Sequence, residues 1–282
     1  MKYFSLYCAT ETSAYDELIL PLLHRMFNLE KLDLYLVISR KNSFLDGKCL
    51  ERNLLNHQPK LNQLTFNIRS TVRLNDQINL LSNQDIQSTF DHFSNKRIIS
   101  CVDYFSEIKQ GQCHIYSYPY RWADYHQITN HFPGEISKYV RQISLFDERP
   151  FEHSFFLRIS KSFPYLKKFT LINEKAQNEK QCGQFNGEDE QLSISEYPHL
   201  SLLDLTEAHD DYLEEFLLHT NTSLSNHLYL SVDYQRLKRV TQGFTRNATR
   251  NNCQKLRSFG LIGINRVPLL VKEYFPQTNI FK

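Results

Sequence analysis

The chain has 282 residues, of which 41% are hydrophobic, so it is long enough and apolar enough to bury a substantial core. Its 33 basic and 31 acidic residues leave a net charge of only +2. This balance excludes a strong overall field for nucleic acid or an anionic membrane, so an electrostatic partner must meet a local patch.

The N-terminal segment does not have the pattern expected of a secretory signal. Glu11, Asp16 and Glu17 interrupt the apolar run that a secretory signal requires, and no stretch reaches the roughly 20 apolar residues of a membrane-spanning helix. We therefore expect a cytoplasmic or nuclear protein with no membrane contact. Six cysteines stand singly, without a C-x-x-C pair, and are expected to be reduced and mostly buried.

A short leucine-rich pattern recurs along the chain. The spacing Leu-x-x-Leu-x-Leu, with other apolar residues at some positions, occurs at 29–36, 61–68, 140–145, 166–171, 200–205 and 256–261. Weaker copies lie at 113–118 and 228–232, and the distances between neighbouring copies are irregular. Such self-similarity is typical of proteins that stack one structural unit per repeat.

Each copy predicts a β-strand whose alternate side chains point to opposite sides. The last two apolar residues enter the core, and the residue between them faces outward. Stacked strands of this kind form a parallel sheet, and a helix after each strand covers the core. We therefore predict one α/β domain over residues 1–282, an irregular leucine-rich-repeat solenoid with parallel strands on the concave side and helices on the convex side.

Apolar residues at helical spacing predict the covering helices. In chain order these helices carry Leu18, Ile19, Leu22, Leu23 and Met26 on one face; Leu50 and Leu54 after Asp46; Ile86, Phe90 and Phe93 after Ser82, with Asp85 three residues on; Trp122, Tyr125 and Ile128; Phe151, Phe155 and Ile159 after Pro150; Leu213, Phe216 and Leu217 after Asp210; and Leu237, Val240 and Phe244. Prolines precede most strands, at Pro59, Pro133, Pro164, Pro198 and Pro276, and a last strand is expected around Ile280.

Two segments depart from the repeat. Residues 175–191 are polar, with Gly183 and Gly187, and predict a loop inserted after a strand. The apolar run 98–104 lengthens one unit. The alternative fold is an α/β domain whose strands and helices alternate without repetition, but such a domain does not require the recurring order of helix, proline and leucine-rich strand.

No catalytic, metal or cofactor site is predicted. The sequence contains no nucleophile elbow and no glycine-rich phosphate loop, and it has only eight glycines. Two dense histidine groups, Glu152-His153 and His209-Asp210-Asp211, have no second ligand at helical or hairpin spacing, so solvated or helix-capping roles are expected. Asp147 and Glu148 before Pro150 likewise favour a helix N-terminus over a catalytic carboxylate pair.

The predicted binding surface is the set of outward strand positions, because stacked strands present these side chains in an extended array. The candidate residues for protein binding are Asp33, Tyr35, Thr65, Asn67, Tyr116, Ser144, Thr170, Asp204, Tyr229 and Asp233. Tyrosine offers broad contact area with a polar tip. The alternative is that these are ordinary surface residues of strands.

A basic patch is the second candidate surface. It comprises Arg236, Lys238, Arg239, Arg246 and Arg250, in a stretch with no acidic residue between Asp233 and Glu273. The first interpretation of such a stretch is a solvated face, and the second is contact with an acidic protein surface. Nucleic acid is the last interpretation, because aromatic residues for base stacking are sparse there.

Several runs of the sequence carry a family resemblance. ISCVDYF (99–105), GQCHIYSYPY (111–120), ISLFDERPFEH (143–153) and VDYQRLKRVTQGFTRNATR (232–250) resemble the repeat portion of a large group of invertebrate F-box proteins with leucine-rich-like repeats. The resemblance covers nearly the whole chain. It implies that the repeat region holds a protein substrate, while an N-terminal F-box docks on a Skp1-type adaptor of a cullin ubiquitin ligase. No F-box helix cluster is apparent, so a Skp1-type adaptor is expected only if an F-box lies upstream of Met1.

Three functions remain open from the sequence. The first is substrate recognition for an F-box-type ubiquitin ligase by non-covalent protein binding. The second is a stand-alone leucine-rich-repeat scaffold unlinked to ubiquitination, and the third is a catalytic domain whose site is assembled from distant residues. Under the first, charge reversals at Asp33, Asp204 and Asp233 should weaken partner binding without unfolding the chain.

Overall fold

A computed structural model describes residues 1–74, 80–93, 97–179, 194–264, 266–275 and 278–281. The protein is a mixed α/β fold with parallel sheets, in agreement with the predicted class. The chain divides into two compact units, Met1–Tyr120 and Arg121–Lys282, and each is described by itself. The single repeat domain over 1–282 remains a prediction.

The first unit is built on one five-stranded sheet. Its described elements are β1 (Tyr3–Thr12), a π-helical turn (Tyr15–Ile19), α1 (Leu20–His24), β2 (Lys31–Arg40), α2 (Gly47–Asn53), a 3-10 turn (Leu55–His57), β3 (Gln63–Arg73), α3 (Asn83–Ser88), β4 (Ile98–Phe105) and β5 (Gln110–Ser117). The strand order is β1-β2-β3-β5-β4, with β1, β2 and β3 parallel. The repeat copies at 29–36 and 61–68 are therefore the parallel strands β2 and β3, as predicted.

The weaker copy at 113–118 is a strand but not a parallel one. β5 pairs antiparallel with both β3 and β4, and β4 is the apolar run at 98–104. The connection between β4 and β5 is a short turn, with Lys109 in the left-handed region at φ 51°. A parallel pairing needs a crossover of a dozen or more residues, which this turn does not provide. The prediction of an all-parallel stack is wrong at this point.

Two of the predicted helix starts in the first unit are confirmed. Asp46 caps α2 by accepting from the Cys49 amide at 2.8 Å, and Ser82 and Asp85 form a reciprocal capping box on α3. Leu50, Leu54 and Ile86 are fully buried behind these caps. The signals were readable because capping depends on residues only three positions apart.

The apolar face predicted for the first helix is confirmed only in part. Leu23 is buried, and Ile19 and Met26 are half-buried against the core, whereas Leu18 and Leu22 are exposed. Tyr15 and Leu20 also enter the core. The cause is the π-helical turn, in which the Ile19 amide donates to the Ala14 carbonyl at 3.2 Å. A π-helical turn, whose hydrogen bonds join residues five apart, rotates the following side chains away from the positions that a periodicity of 3.6 residues assigns.

The second unit is built on a seven-stranded parallel sheet. Its described elements are β6 (Asp124–Ile128), β7 (Gln142–Phe146), α4 (His153–Ser162), β8 (Lys168–Asn173), β9 (Ser195–Tyr197), β10 (Leu202–Ala208), α5 (Asp210–Leu217), β11 (Thr222–Leu224), β12 (Leu228–Asp233), α6 (Tyr234–Val240), a 3-10 turn (Asn247–Thr249), α7 (Arg250–Cys253), β13 (Leu256–Ile262), α8 (Leu269–Tyr274) and β14 (Asn279–Phe281). The sheet order β14-β13-β12-β10-β8-β7-β6 follows the chain, while β9 and β11 form a separate parallel pair that packs against α4 and α5.

The strand predictions for this unit are confirmed. The copies at 140–145, 166–171, 200–205, 228–232 and 256–261 become β7, β8, β10, β12 and β13, and the strand expected around Ile280 is β14. In each copy two alternate apolar residues are at most 2% exposed: Ile143 and Leu145, Phe169 and Leu171, Leu203 and Leu205, Leu230 and Val232, Phe259 and Leu261.

Three helix predictions in this unit need correction. Residues 124–128 form the strand β6 instead of a helix, and 129–141, all described, contain no helix. His209, not Asp210, is the N-cap of α5, accepting from the Asp211 amide at 3.2 Å. Phe244 lies beyond α6 in the left-handed region at φ 70°.

Some predicted features lie outside the described residues. These are residues 180–191 of the polar loop, Cys182 and Pro276. The five described cysteines are free thiols, and Cys101, Cys113 and Cys253 are buried. Among the described helices, none combines the length and apolar character needed to cross a membrane.

Candidate protein-binding surface

The second sheet has one side packed on the core and one side lined by partly exposed side chains. On this second side, called the polar face below, neighbouring strands are in register and their side chains form rows. The central row is Ser144, Thr170, Asp204, Ser231 and Gly260. A flanking row is Gln142, Lys168, Leu202, Tyr229, Ser258 and Asn279. All of these except the buried Gly260 are half-buried or exposed.

Asp204 is the acidic group at the centre of the polar face. Its Oδ1 accepts from the Thr206 amide at 3.1 Å and from the Thr206 hydroxyl at 2.5 Å. The Thr206 hydroxyl also lies 3.1 Å from the Ser231 hydroxyl on the next strand. These bonds fix the carboxylate, and Oδ2 accepts no hydrogen bond from the described part of the chain.

A β-bulge brings a second acid to the same place. Asp204 pairs with Thr170 and Glu207 with Ile172, so β10 carries one more residue than β8 between these positions. A bulge of this kind re-aims side chains and is common beside functional sites. Glu207 is exposed. The polar face therefore presents two carboxylates, Asp204 and Glu207, on one bulged strand.

Tyr229 lies across the glycine of the neighbouring strand. A Cβ placed on Gly260 would come within 2.3 Å of the Tyr229 hydroxyl, so the absence of a side chain at Gly260 permits this ring position. The Tyr229 ring also lies 6.4 Å from that of Phe281 on β14. The result is an aromatic patch next to the polar central row.

The five predicted residues of the second unit do not all have the same role. Ser144, Thr170, Asp204 and Tyr229 lie on the polar face, where the sequence placed them. Asp233 is instead the N-cap of α6, and its Oδ1 accepts from the amides of Gln235 at 2.8 Å and Arg236 at 3.1 Å. Its carboxylate is thus a structural group of the helix.

Four predicted residues of the first unit are not on an open surface. Tyr35, Thr65, Asn67 and Tyr116 point away from the core, as the alternation predicted, yet all four are buried. Asp33 is half-buried and accepts from the Tyr3 hydroxyl at 3.0 Å.

The burial of these residues has a local cause. The Asn67 side-chain amide donates to the Tyr120 hydroxyl at 3.2 Å, and Tyr116 meets the Tyr120 ring edge-on at 5.2 Å. Tyr35 stacks on Tyr7 at 4.4 Å. Tyr120, just beyond β5, thus covers positions that alternation alone assigns to solvent.

Sequence reasoning missed a buried polar cluster on the same side of the first sheet. Arg69, Asp103 and His114 are all buried, and the His114 Nε2 is hydrogen-bonded to the Asn67 side-chain oxygen. Burial, and secondarily the Arg69 guanidinium, holds the pKa of His114 well below its ordinary value, so His114 is neutral at pH 7. The outward position of His114 in the weak copy 113–118 was the available signal.

The predicted basic patch is largely neutralised inside the chain. Arg236 forms a two-contact ion pair with Glu174 at 2.7 and 2.9 Å, and Arg239 forms one with Asp210 at 2.5 and 2.9 Å. Hydrogen bonds from Arg239 lower the pKa of Asp210.

The other members of the patch differ in role. Arg246 contacts Glu214 at 2.5 Å, and Arg250 lies over the Tyr274 ring at 5.1 Å. Lys238 is exposed. Four of the five residues therefore contact acidic or aromatic side chains of the same unit, so the patch is not a free cationic surface.

His153 does not have the solvated or capping role expected for it. Its Nδ1 lies 2.7 Å from Glu215 Oε1, with side-chain exposures of 8% and 2%, so the pair joins α4 to α5 inside the unit. The Asn221 side-chain amide donates to the other Glu215 oxygen at 3.1 Å. This burial favours a packing role over contact with a substrate.

Glu152 anchors the start of the predicted polar loop. Its carboxylate accepts from the amides of Asn178 at 3.0 Å and Glu179 at 3.2 Å, while Asp211 accepts from the Gln177 amide at 3.0 Å. The carboxyl groups therefore hold residues 177–179 against the N-termini of two helices.

Within the described ranges, no group of three or more His, Cys, Asp or Glu side chains could hold a metal ion. Comparison of the chain with protein-family models, with characterised proteins and with solved structures gives no match.

Proposed function

We propose that this protein is a protein-recognition domain of the leucine-rich-repeat type, acting in the cytoplasm or nucleus, and that a partner binds the polar face of the second sheet. The observation that carries the proposal is the registered array on that face, in which consecutive parallel strands present half-buried polar and aromatic side chains in rows. A solenoid arrangement is supported by strands that follow one another in chain order, with helices between most of them.

The dimensions of the array suit a polypeptide. The strands from β7 to β13 are five neighbours, which at ~4.8 Å per strand gives a span of roughly 19 Å. An extended segment of about six residues covers that distance at ~3.3 Å per residue. A small molecule normally selects a concave pocket, whereas rows of side chains on a sheet favour an extended partner segment.

The chemistry of the array suggests the character of that segment. Asp204 and Glu207 are acidic. Thr170 on β8 and Ser231 on β12 add hydrogen-bonding hydroxyl groups on either side of Asp204. Tyr229 adds an aromatic contact of the kind enriched at interfaces. We infer a partner segment that carries a basic side chain opposite Asp204 and Glu207.

The role in the cell is proposed from the family resemblance. In this proposal the chain is the substrate-recognition part of an F-box-type ubiquitin ligase receptor and acts by binding, without catalysis. The alternative is a stand-alone leucine-rich-repeat scaffold without a link to ubiquitination.

The binding proposal is tested by affinity capture with matched variants. The double variant Asp204→Arg/Glu207→Arg reverses both charges of the polar face. Glu196→Arg is the control, because Glu196 is an exposed acid on β9, outside the polar face. Proteins captured by the wild type and by the control but lost by the double variant support the proposal. An identical set of proteins with all three forms contradicts it.

The ligase role requires a second comparison. The tagged chain is expressed with and without the genomic sequence upstream of Met1, and co-purifying proteins are identified. Recovery of a Skp1-type adaptor with the longer form supports the ligase receptor. Absence of the adaptor from both forms favours the stand-alone scaffold and leaves the binding proposal intact.

A further inference from the structure

The N-terminal ends of the strands in the second unit carry charge of one sign. In five repeat copies a buried apolar residue precedes the strand or lies at its start, and these residues are Val140, Leu166, Leu200, Leu228 and Leu256. The two residues on each side of them include six lysines and arginines, two histidines and no aspartate or glutamate. The six cations, called the cationic strip below, are Lys138, Arg141, Lys167, Lys168, Lys255 and Arg257.

The acids of the same strands lie at the opposite end. Asp147 follows β7, Glu174 follows β8, Glu207 lies one residue before the end of β10, and Asp233 ends β12. Parallel strands all start on one side of a sheet and end on the other, so the cationic strip and these carboxylates are separated by the length of the strands.

This separation leaves the cationic strip without neutralisation. At the carboxyl ends of the strands Arg149 is paired with Asp147, and Arg236 with Glu174. Within the described ranges, by contrast, no carboxylate forms an ion pair with a cation of the strip. Four of the six side chains are exposed, and those of Arg141 and Lys255 are half-buried. Like charges on neighbouring strands repel each other, so an anion bound along the strip would relieve this repulsion.

The backbone holds the strip in a fixed order. The Lys167 amide donates to the Arg141 carbonyl at 2.8 Å, and the Ser201 amide donates to the Lys167 carbonyl at 2.8 Å. The Arg141 guanidinium donates to the carbonyls of Lys138 at 2.7 Å and Val140 at 2.9 Å. Because Arg141 is already ordered in this way, an anionic ligand has fewer side chains to immobilise on binding.

We propose that the cationic strip binds an acidic polypeptide segment, whose aspartate or glutamate side chains lie across the strands from β7 to β13. Five strands at ~4.8 Å give a span of roughly 19 Å, which an extended segment of about six residues covers. The inference goes beyond the proposed function, because it concerns a second surface with a charge opposite to that of Asp204 and Glu207.

The aromatic residue within the strip favours a peptide over a nucleic acid. The Arg141 guanidinium lies over the Tyr165 ring at 5.3 Å, and the His199 ring lies 5.6 Å from it. Arg141 belongs to the β7 copy and His199 to the β10 copy, which flank the β8 copy of Tyr165 in the sheet. Neighbours on both sides of Tyr165 therefore occupy the space in which a base would stack.

The nearby carboxylates also favour a peptide. Lys168 is two residues before Thr170 on β8, and Thr170 is paired with Asp204. The row that contains Asp204 is therefore about 7 Å from the strip, which is within one Debye length at physiological ionic strength. A polymer with a negative charge on every unit would be repelled on this side, whereas a peptide can carry its acids opposite the cations alone.

Fluorescence anisotropy with a labelled peptide of eight glutamates tests the proposal at low ionic strength. The whole chain should bind this probe, and Lys138→Glu/Lys167→Glu should bind it at least tenfold more weakly. Lys41→Glu/Lys238→Glu is the matched control, because it makes the same change of charge at two exposed lysines outside the strip and should bind like the wild type. All four lysines are exposed, so circular dichroism should show that both variants are folded.

A labelled oligouridylate of eight nucleotides is the rival probe. Failure of the wild type to bind the glutamate peptide, or equal losses in the strip and control variants, overturns the proposal. Tighter binding of the oligouridylate than of the peptide, lost in the strip variant, also overturns it and assigns the strip to nucleic acid. Asp204→Arg/Glu207→Arg should bind the glutamate peptide at least as well as the wild type, so this test can fail or succeed independently of the proposal for the polar face.

Discussion

The strand register of the second sheet can be tested with two neighbouring leucines. Leu203 is fully buried, whereas Leu202, one residue earlier on β10, is half-buried on the polar face. Leu203→Ala removes about 2.4 kcal/mol of burial at ~0.8 kcal/mol per carbon group. The cavity that remains raises the expected loss of unfolding free energy to about 2–5 kcal/mol. Leu202→Ala should cost about 1 kcal/mol, because its side chain is only partly removed from water and leaves no cavity.

Urea unfolding measures this difference. Far-UV circular dichroism follows the whole chain, and the fluorescence of Trp122, the single tryptophan, follows the second unit. Leu203→Ala should shift the Trp122 transition to much lower urea than Leu202→Ala does. A shift of one residue in register exchanges the two sides of a strand, so equal effects, or a larger effect of Leu202→Ala, would refute the assigned register.

Three further predictions concern single groups. The free energy of unfolding should fall as the pH drops below about 6.5, because the pKa of buried His114 is lowered in the folded chain and the unfolded chain takes up the proton first. His114→Gln should reduce the dependence of the unfolding free energy on pH by up to about 1.4 kcal/mol per pH unit. Equal pH dependence of the wild type and the variant in urea titrations would contradict the assignment. Asp233→Ala should cost about 1 kcal/mol of stability through loss of the α6 cap, whereas Asp233→Asn, which keeps an acceptor, should cost less in the same assay. Gly260→Ala should leave the melting temperature nearly unchanged but weaken partner binding by displacing the Tyr229 ring, and unchanged affinity in a titration would argue against a role for that ring.

The Asp233 cap changes one expectation drawn from the sequence. Charge reversal at Asp233 was expected to weaken binding without unfolding, but Asp233→Arg would remove the acceptor for two amides of α6. A binding defect in that variant would mix lost contacts with lost stability. Asp204 and Glu207 are therefore the better pair for testing the polar face.

The sequence predicted most strands because burial with a period of two is a local property. Pairs such as Ile143 and Leu145 or Leu203 and Leu205 identify the core side of a strand without knowledge of its neighbours. The helix predicted at Tyr125 and Ile128 is wrong because that prediction also used only local spacing. Their spacing of three suits a helix, but it also suits β6, where the register shifts between these two residues as they pair with β7.

Pairing and burial over long sequence distances could not be predicted. The antiparallel position of β5 depends on its hairpin with β4, not on its own pattern. Arg236 and Glu174 are 62 residues apart, so the neutralisation of the basic patch is invisible to an inspection of local charge. The burial of Asn67 likewise depends on Tyr120, which is 53 residues later.

The most direct test of the proposed function is the affinity of a captured partner for the polar face. Biolayer interferometry would compare the wild type, Asp204→Arg/Glu207→Arg and Glu196→Arg, after circular dichroism has shown that all three are folded. If the partner binds the polar face, the double variant should lose at least tenfold in affinity, about 1.4 kcal/mol, while Glu196→Arg binds like the wild type. Equal affinities for all three folded proteins would contradict the account.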